Sequence, residues 1–358
     1  MYKSVHIQHF RGLRDLTIAD LGRVNLIVGP NNAGKTSLLE ALWLLEGPAT
    51  ATMTSALALL RGFEPPLQTP ELLWHGLFYQ RDVTQPARIE GVELGGKSRS
   101  LELSATVATS QPILTSPEGL FSGFASPTLE DGLKAPETLQ YRYVLADGTE
   151  VVRRVWASEG REEASASKAE VKARSSTFLT TRRWLPAGAL ATAFTRAADD
   201  EQLEVLERSA RQLEPGLHAF SLGYVEGRPL IRARLGEDRP LPLHLLGDGV
   251  VRLTEILLTA YSCKDGLELI DEIENGFHHS ALEAVWRAVD ETSVAANVQV
   301  FATTHSYECV AAAAGAFTDK HAGDFRLHRL EREGDRILVT TYDREATQSA
   351  VEYGFEVR

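Results

Sequence analysis

Along residues 2–28 the apolar positions follow a strand-like pattern. Val5, Ile7 and His9 share one face of a first predicted strand, Leu16–Ile18 marks a second, and Arg11-Gly12 reads as the turn between them. Val24–Val28 is a short apolar, β-branched run of the kind buried in a parallel sheet. From Ser37 to Leu45 the apolar period changes to that of a helix, with good helix formers throughout. Residues 47–86 are rich in Pro, Gly and Thr with short apolar pieces, and their pattern assigns no particular element. Strand-like runs at 87–94 and 99–107 flank Gly95-Gly96, and a second pair at 139–145 and 149–156 flanks Asp147-Gly148, both hairpin signals. The Ser/Pro/Gly-rich stretch 110–137 reads as loop, and the polar stretch 157–176 has a composition compatible with helix.

The second half alternates helices and strands. A helix is predicted over 199–213, with Asp199 or Asp200 as N-cap, Leu203, Leu206, Ala210 and Leu213 on one side, and Pro215-Gly216 ending it. Strands follow at Phe220–Val225 and Leu230–Leu235, then a helix at Val250–Ala260. A mostly apolar strand over 267–270 precedes a helix at 279–292 striped by Leu282, Val285, Trp286 and Val289. Val298–Thr304 reads as a buried strand. Two further strands, 325–331 and 336–342, flank Glu333-Gly334-Asp335, and a closing helix stops at Gly354. The pattern predicts an α/β fold in three parts: an N-terminal lobe over 1–86, a β-rich insertion over 87–185, and a helical lobe with the rest of the α/β core over 186–358.

A chain of 358 residues, 43% hydrophobic and 24% charged, can bury a full core. It contains no apolar run long enough to span a membrane, and its first residues lack the apolar stretch of a signal peptide, so a cytoplasmic location without membrane association is expected. Two cysteines, Cys263 and Cys309, exclude a disulfide framework and zinc-ligand spacing. A net charge of −12 argues against a surface that coats nucleic acid, though not against a local basic groove. Arg153, Arg154, Arg161, Lys168, Lys172, Arg174, Arg182 and Arg183 form the densest basic stretch, readable as a nucleic-acid or partner surface or as a solvated mixed-charge face.

The candidate chemistry begins at Gly29-Pro30-Asn31-Asn32-Ala33-Gly34-Lys35-Thr36, which fits the P-loop pattern at every fixed position. A predicted strand precedes it and a predicted helix opening at Ser37 follows it, the context in which backbone N–H groups of such a loop cradle phosphate. Lys35 would reach the β- and γ-phosphates of a nucleoside triphosphate, and the Thr36 hydroxyl would ligate Mg²⁺. Asp271-Glu272 closes the 267–270 strand. There Asp271 can hold Mg²⁺ through water while Glu272 faces the attacking water, although paired acids after a strand also serve as helix N-caps. His305, at the end of the 298–304 strand, is placed to contact a γ-phosphate. Gly247-Asp248-Gly249 opens a helix and makes an anion site that one subunit with its own P-loop does not need. It either meets the nucleotide of a second subunit or is a plain glycine turn.

In this order the motifs resemble the ABC-type ATPase heads shared by transporters, SMC-like repair proteins, RecF and OLD-family proteins. The runs Ile7–Leu13, Asn25–Thr36, Asp271–Gly276 with His278-His279-Ser280, and Ala302–Ser306 are similar to the RecF/OLD branch. The resemblance implies an ABC/SMC-like P-loop ATPase head using ATP and Mg²⁺. It also implies that Arg11, otherwise a solvated turn arginine, belongs with the nucleotide-binding residues. It implies a homodimer or higher homo-oligomer closing on ATP, and a separate effector such as a nuclease, as in anti-phage systems, because the residues after His305 read as too few for a TOPRIM nuclease. Rival readings are a RecF-like ATPase gripping DNA and a transporter ATPase subunit. Two departures stand out. Gly247 occupies the place of the signature serine, and the Q-loop glutamine has only Gln80 and Gln140 as candidates.

Overall fold

The computed structural model describes residues 1–47, 53–62, 74–107, 136–158, 161–164, 174–181, 185–237, 239–317 and 321–355. Two large sheets face each other across one helix. The first has seven antiparallel strands in the order β2-β1-β4-β5-β6-β7-β8: β1 (Tyr2–Phe10), β2 (Leu13–Ile18), β4 (Ala87–Glu93), β5 (Ser98–Val107), β6 (Pro136–Val144), β7 (Glu150–Ser158) and β8 (Arg161–Ala164). The second has six, ordered β16-β15-β3-β14-β13-β9: β3 (Val24–Val28), β9 (Ser176–Leu179), β13 (Leu267–Ile270), β14 (Gln299–Thr303), β15 (Phe325–Glu333) and β16 (Arg336–Asp343). Five of these run parallel and β16 pairs antiparallel at the edge.

Helix α1 (Lys35–Glu46) lies between the sheets, with Leu38, Leu39, Leu42 and Leu45 packed against Ile7, Ile89 and Leu101 on one side and Leu267, Leu269 and Phe301 on the other. A helix covered on both faces carries apolar residues all round. Its two buried carboxylates are therefore paired. Glu46 meets the Tyr2 hydroxyl at 2.5 Å and Arg99 at 2.9 Å, and Glu40 meets Arg11 and Arg61.

The outer face of the parallel sheet is covered by α3 (Ala187–Asp199), α4 (Leu203–Leu213), α5 (Asp248–Ser262), α6 (Leu282–Ala295) and α7 (Tyr307–Ala316), preceded in the chain by α2 (Met53–Leu60). A three-stranded sheet of β10 (Leu217–Val225), β11 (Arg228–Leu235) and β12 (Leu241–Pro242) packs on α3 and α4, and α8 (Arg344–Glu352) closes the chain. The result is an α/β fold in which the P-loop joins β3 of the parallel sheet to α1.

Several boundaries differ from expectation. The expected insertion over 87–185 does not stand apart. β4 pairs along β1 from Tyr2↔Glu93 to Gln8↔Arg88, and β9 joins the parallel sheet beside β13. The helix expected over 199–213 is α4, which starts at Leu203 after Gln202 rather than after an aspartate; Asp199 instead ends the preceding α3 and Asp200 caps its C-terminus. Within 157–176, residues 161–164 are strand paired to β7 rather than helix, while 165–173 lie outside the described residues. The loop expected over 110–137 lies outside them too, except that β6 begins at Pro136. The helix expected at 279–292 opens with a 3₁₀ turn, His279–Ala281, and α6 proper spans 282–295. Of the basic stretch, Arg174 turns inward to Glu46 (3.6 Å) and Glu93 (3.3 Å), and the side chains of Arg161, Lys168, Lys172, Arg182 and Arg183 are outside the described residues.

Candidate nucleotide site

Parallel pairing sets the carboxyl ends of three neighbouring strands level. Thr303 of β14 lies opposite Ile27 of β3, and Ala302 lies opposite Ile270 of β13. Whatever follows each strand is therefore delivered to one edge of the sheet, the usual ligand edge of a parallel sheet. After β3 comes the P-loop, after β13 Asp271-Glu272, and after β14 Thr304-His305.

The loop's shape depends on two glycines. Gly29 has φ +141°, and a Cβ there would stand 2.3 Å from the Leu330 carbonyl oxygen of β15. Gly34 has φ +98° and precedes α1, with the Leu13 side chain 2.5 Å from where a Cβ would be. Lys35 Nζ donates to the Gly29 carbonyl at 2.6 Å and the Pro30 carbonyl at 3.2 Å. Burial pulls its pKa down, opposed by the charges of Asp271, Glu272 and Glu274.

Thr36 Oγ1 donates to Asp271 at 3.0 Å, and Thr303 Oγ1 donates to the other oxygen of that carboxylate at 2.6 Å. The Glu272 N–H donates to the Thr303 hydroxyl at 2.9 Å. Glu272 itself has φ +50°, a left-handed backbone uncommon for a non-glycine residue and often found at functional sites. The N–H groups of Asp271 and Ile273, bonded to the Leu179 and Thr303 carbonyls, hold the turn in that shape. His305 is largely exposed. Its Nδ1 and its backbone N–H lie 3.3 and 3.2 Å from one oxygen of the nearly buried Glu274.

These side chains line one cleft of about 660 Å³. It brings together Asn31, Asn32, Ala33, Gly34, Lys35, Thr36, Ser37, Asp271, Glu272 and His305, all anticipated from sequence. Gly12, Arg61, Thr303 and Arg332 line it as well and were not anticipated. Thr303 stood within a recognised strand end and could have been noticed as a hydroxyl beside the acidic pair. Arg61 follows α2 in a stretch with no legible pattern, and Arg332 comes from a strand whose place beside β3 only topology reveals.

Arg11 is not among the lining residues. Its guanidinium Nε lies 2.5 Å from Glu40 and its Nη1 donates to the Gly76 carbonyl at 3.2 Å, so the expected nucleotide contact is replaced by a buried ion pair. Gly247, Asp248 and Gly249 are not in this cleft either. Gly247 caps α5, Asp248 borders a separate cavity of about 100 Å³ with Arg252, Asn275 and Gly276, and a Cβ on Gly249 would meet the Gly276 carbonyl at 3.2 Å. Gln80 lies on a different surface cavity with His9 and Tyr79, and Gln140 sits in β6 bonded to Arg154, so neither glutamine reaches the cleft.

Residues 24–311 match the family model described as an AAA domain, putative AbiEii toxin, type IV TA system. The chain belongs to this AAA domain family. This AAA domain is 23% identical over 384 residues to an ATP/GTP phosphatase of Helicobacter pylori, a match covering 99% of this chain and 98% of that protein. A shorter segment of 43 residues is 40% identical to the DNA replication and repair protein RecF of Idiomarina loihiensis, covering 12% of each chain. Among solved structures, the Pyrococcus furiosus Smc head domain bound to the C-terminal domain of ScpA superposes with a TM-score of 0.49 at 11% identity, covering 98% of both chains. No helix among the described residues is long and apolar enough to cross a membrane.

Proposed function

We propose that this AAA domain binds ATP with Mg²⁺ in the 660 Å³ cleft and hydrolyses it, with Glu272 as general base. The observation that carries this reading is the Thr36–Asp271–Thr303 hydroxyl–carboxylate cluster beside Lys35 and Glu272. A hydroxyl and a carboxylate are hard oxygen donors, and Mg²⁺ in nucleotide sites takes only one or two protein ligands besides phosphate and water. Among the described residues no cluster of three or more acidic, histidine or cysteine side chains competes as a metal site. Thr36 and Asp271 would hold the ion, which when bound neutralises charge on the β- and γ-phosphate oxygens. The loop N–H groups from Asn31 to Ser37 and the Lys35 ammonium bind and orient the phosphates. Glu272 accepts the proton of the water that attacks the γ-phosphorus as the bond to the β-phosphate oxygen breaks. Its left-handed backbone, fixed through Thr303, keeps the carboxylate at the cleft instead of continuing the strand. In this reading His305 donates to the departing phosphoryl group, and Glu274, 3.3 Å from its Nδ1, orients the ring.

We further infer an ATP-dependent dimer in which the Gly247–Gly249 turn of one copy meets the nucleotide of the other. Its separation from the cleft of its own chain and the open space around Gly247 support this. We also infer that the head controls a partner effector in anti-phage defence; the family description, a putative toxin of a type IV TA system, is what this chain shares with a two-component system. A DNA clamp has less support, since the net charge is −12 and Arg174 is spent on internal carboxylates. The direct test is release of phosphate from ATP by the purified protein. Wild type should turn over only with Mg²⁺, and Lys35→Ala should neither bind nor hydrolyse. Equal hydrolysis by Lys35→Ala would remove the cleft from the reaction.

A further inference from the structure

The family match ends at residue 311, yet the cleft is completed by a residue well beyond it. β15 runs parallel to β3 with Arg329 opposite Val28, so it continues past the point where β3 gives way to the P-loop. Its Leu330 carbonyl stands against Gly29, which is why that position has no room for a side chain. Two residues further on, Arg332 reaches across the loop. Its Nε donates to the Asn32 carbonyl at 3.3 Å and its Nη2 to the Gly12 carbonyl at 2.8 Å, tying the P-loop to the β1–β2 turn.

These two bonds use two of the five N–H groups of a guanidinium. Among the described residues no carboxylate lies within ion-pair distance of Arg332, although Glu331 and Glu333 flank it in sequence. A permanent cation is thus fixed to the backbone of a phosphate-binding loop, lines the same cleft as Lys35, and is not neutralised by the protein. Its hydrogen bonds go to Asn32 and Gly12, not to the Asp271–Glu272–Thr303 cluster where the bond is broken.

We propose that Arg332 is a nucleotide-binding residue supplied by the C-terminal hairpin: a second cation for the phosphate tail that sets affinity and leaves the chemical step alone. The inference rests on the cleft being the ATP site. A contact made equally in ground and transition states changes binding without changing kcat.

The experiment compares Arg332→Gln and Arg332→Lys with wild type, by calorimetric titration of Mg-ATP and Mg-ADP and by steady-state hydrolysis. Gln keeps amide donors for the backbone carbonyls but carries no charge, and Lys keeps the charge. Arg332→Gln should weaken ATP and ADP binding by about tenfold, the usual worth of a charge-assisted hydrogen bond, and raise KM alike at unchanged kcat. Arg332→Lys should recover most of the loss, which a purely geometric strap would not allow. A wild-type Kd in Arg332→Gln, or a fall in kcat at unchanged Kd, overturns the proposal. Lys35→Ala measured alongside separates the two readings. If it still binds ATP the cleft assignment fails, and if it loses binding while Arg332→Gln does not, only the role of Arg332 fails.

Discussion

Replacing Glu40 by Gln is the sharpest test of how the cleft is braced. Glu40 is fully buried on α1, between the two sheets. Arg61 grips it through Nε at 2.6 Å and Nη2 at 2.8 Å, and Arg11 Nε lies 2.5 Å away. Gln is the same size but presents an amide N–H group to guanidinium donors and withdraws the negative charge. The two arginines do not lose equally. The Arg61 side chain is 44% exposed and can turn to water, so its share is that of an exposed pair, about 1 kcal/mol or less. The Arg11 side chain is 16% exposed, and burial already pulls its pKa down against the pull of Glu40. Stranding a buried cation costs about 3–5 kcal/mol, a large part of the roughly 5–15 kcal/mol that holds a typical domain folded. Urea unfolding followed by circular dichroism should place Glu40→Gln about 3 kcal/mol below wild type at unchanged m, and Arg61→Met within about 1 kcal/mol of it. Adding Arg11→Met to Glu40→Gln should recover part of the loss, because no buried charge is then left alone. A Glu40→Gln protein within about 0.5 kcal/mol of wild type, or an Arg61→Met protein that suffers as much, would refute the asymmetry argued from burial.

Asp271→Asn should weaken nucleotide binding in Mg²⁺ by at least about tenfold while leaving binding in EDTA unchanged, since the carboxylate acts through the ion; equal losses with and without metal would contradict this. Gly247→Asp should abolish an ATP-dependent dimer in size-exclusion light scattering and leave ATP affinity intact. Gly247 suits the test better than Gly249 because a Cβ there meets nothing within 4 Å, and a dimer indifferent to the substitution would make the turn structural. Burial raises the pKa of Glu268 from the usual 4.5 to about 8, with the Thr259 hydroxyl donating to it at 2.5 Å. Between those values the unfolded chain ionises and the folded one does not, so stability falls as pH rises through this window. Glu268→Gln should flatten that slope and stabilise the protein at pH 8 by a few kcal/mol, since each pH unit between the two values is worth about 1.4 kcal/mol; unchanged pH dependence in urea unfolding would show that the carboxyl is ionised when folded.

The cleft residues were legible where the pattern is local. A P-loop is written in consecutive residues because one loop must wrap one phosphate, and Asp271-Glu272 and His305 stand at strand ends that apolar runs announce. What depends on which strand lies beside which was not legible. Arg332 enters the cleft only because β15 pairs with β3, and Arg11 is held outside it because Glu40, a polar position on α1, is buried between two sheets. The same cause hid the sheet. The hairpin at 87–107 is plain in the alternation, but its pairing with β1 is made across the intervening residues, and hydrophobic period does not encode a partner. Asp199 and Asp200 misled for a local reason, since an acidic pair after an apolar stretch can end one helix as readily as begin the next.

Single-turnover hydrolysis in Glu272→Gln tests most directly whether Glu272 activates water against a phosphate held by the P-loop. The variant should bind Mg-ATP with wild-type affinity and cleave it about 10²–10⁴ times more slowly, the usual contribution of a positioned general base. Cleavage at the wild-type rate, or a loss that appears only in binding, would contradict it.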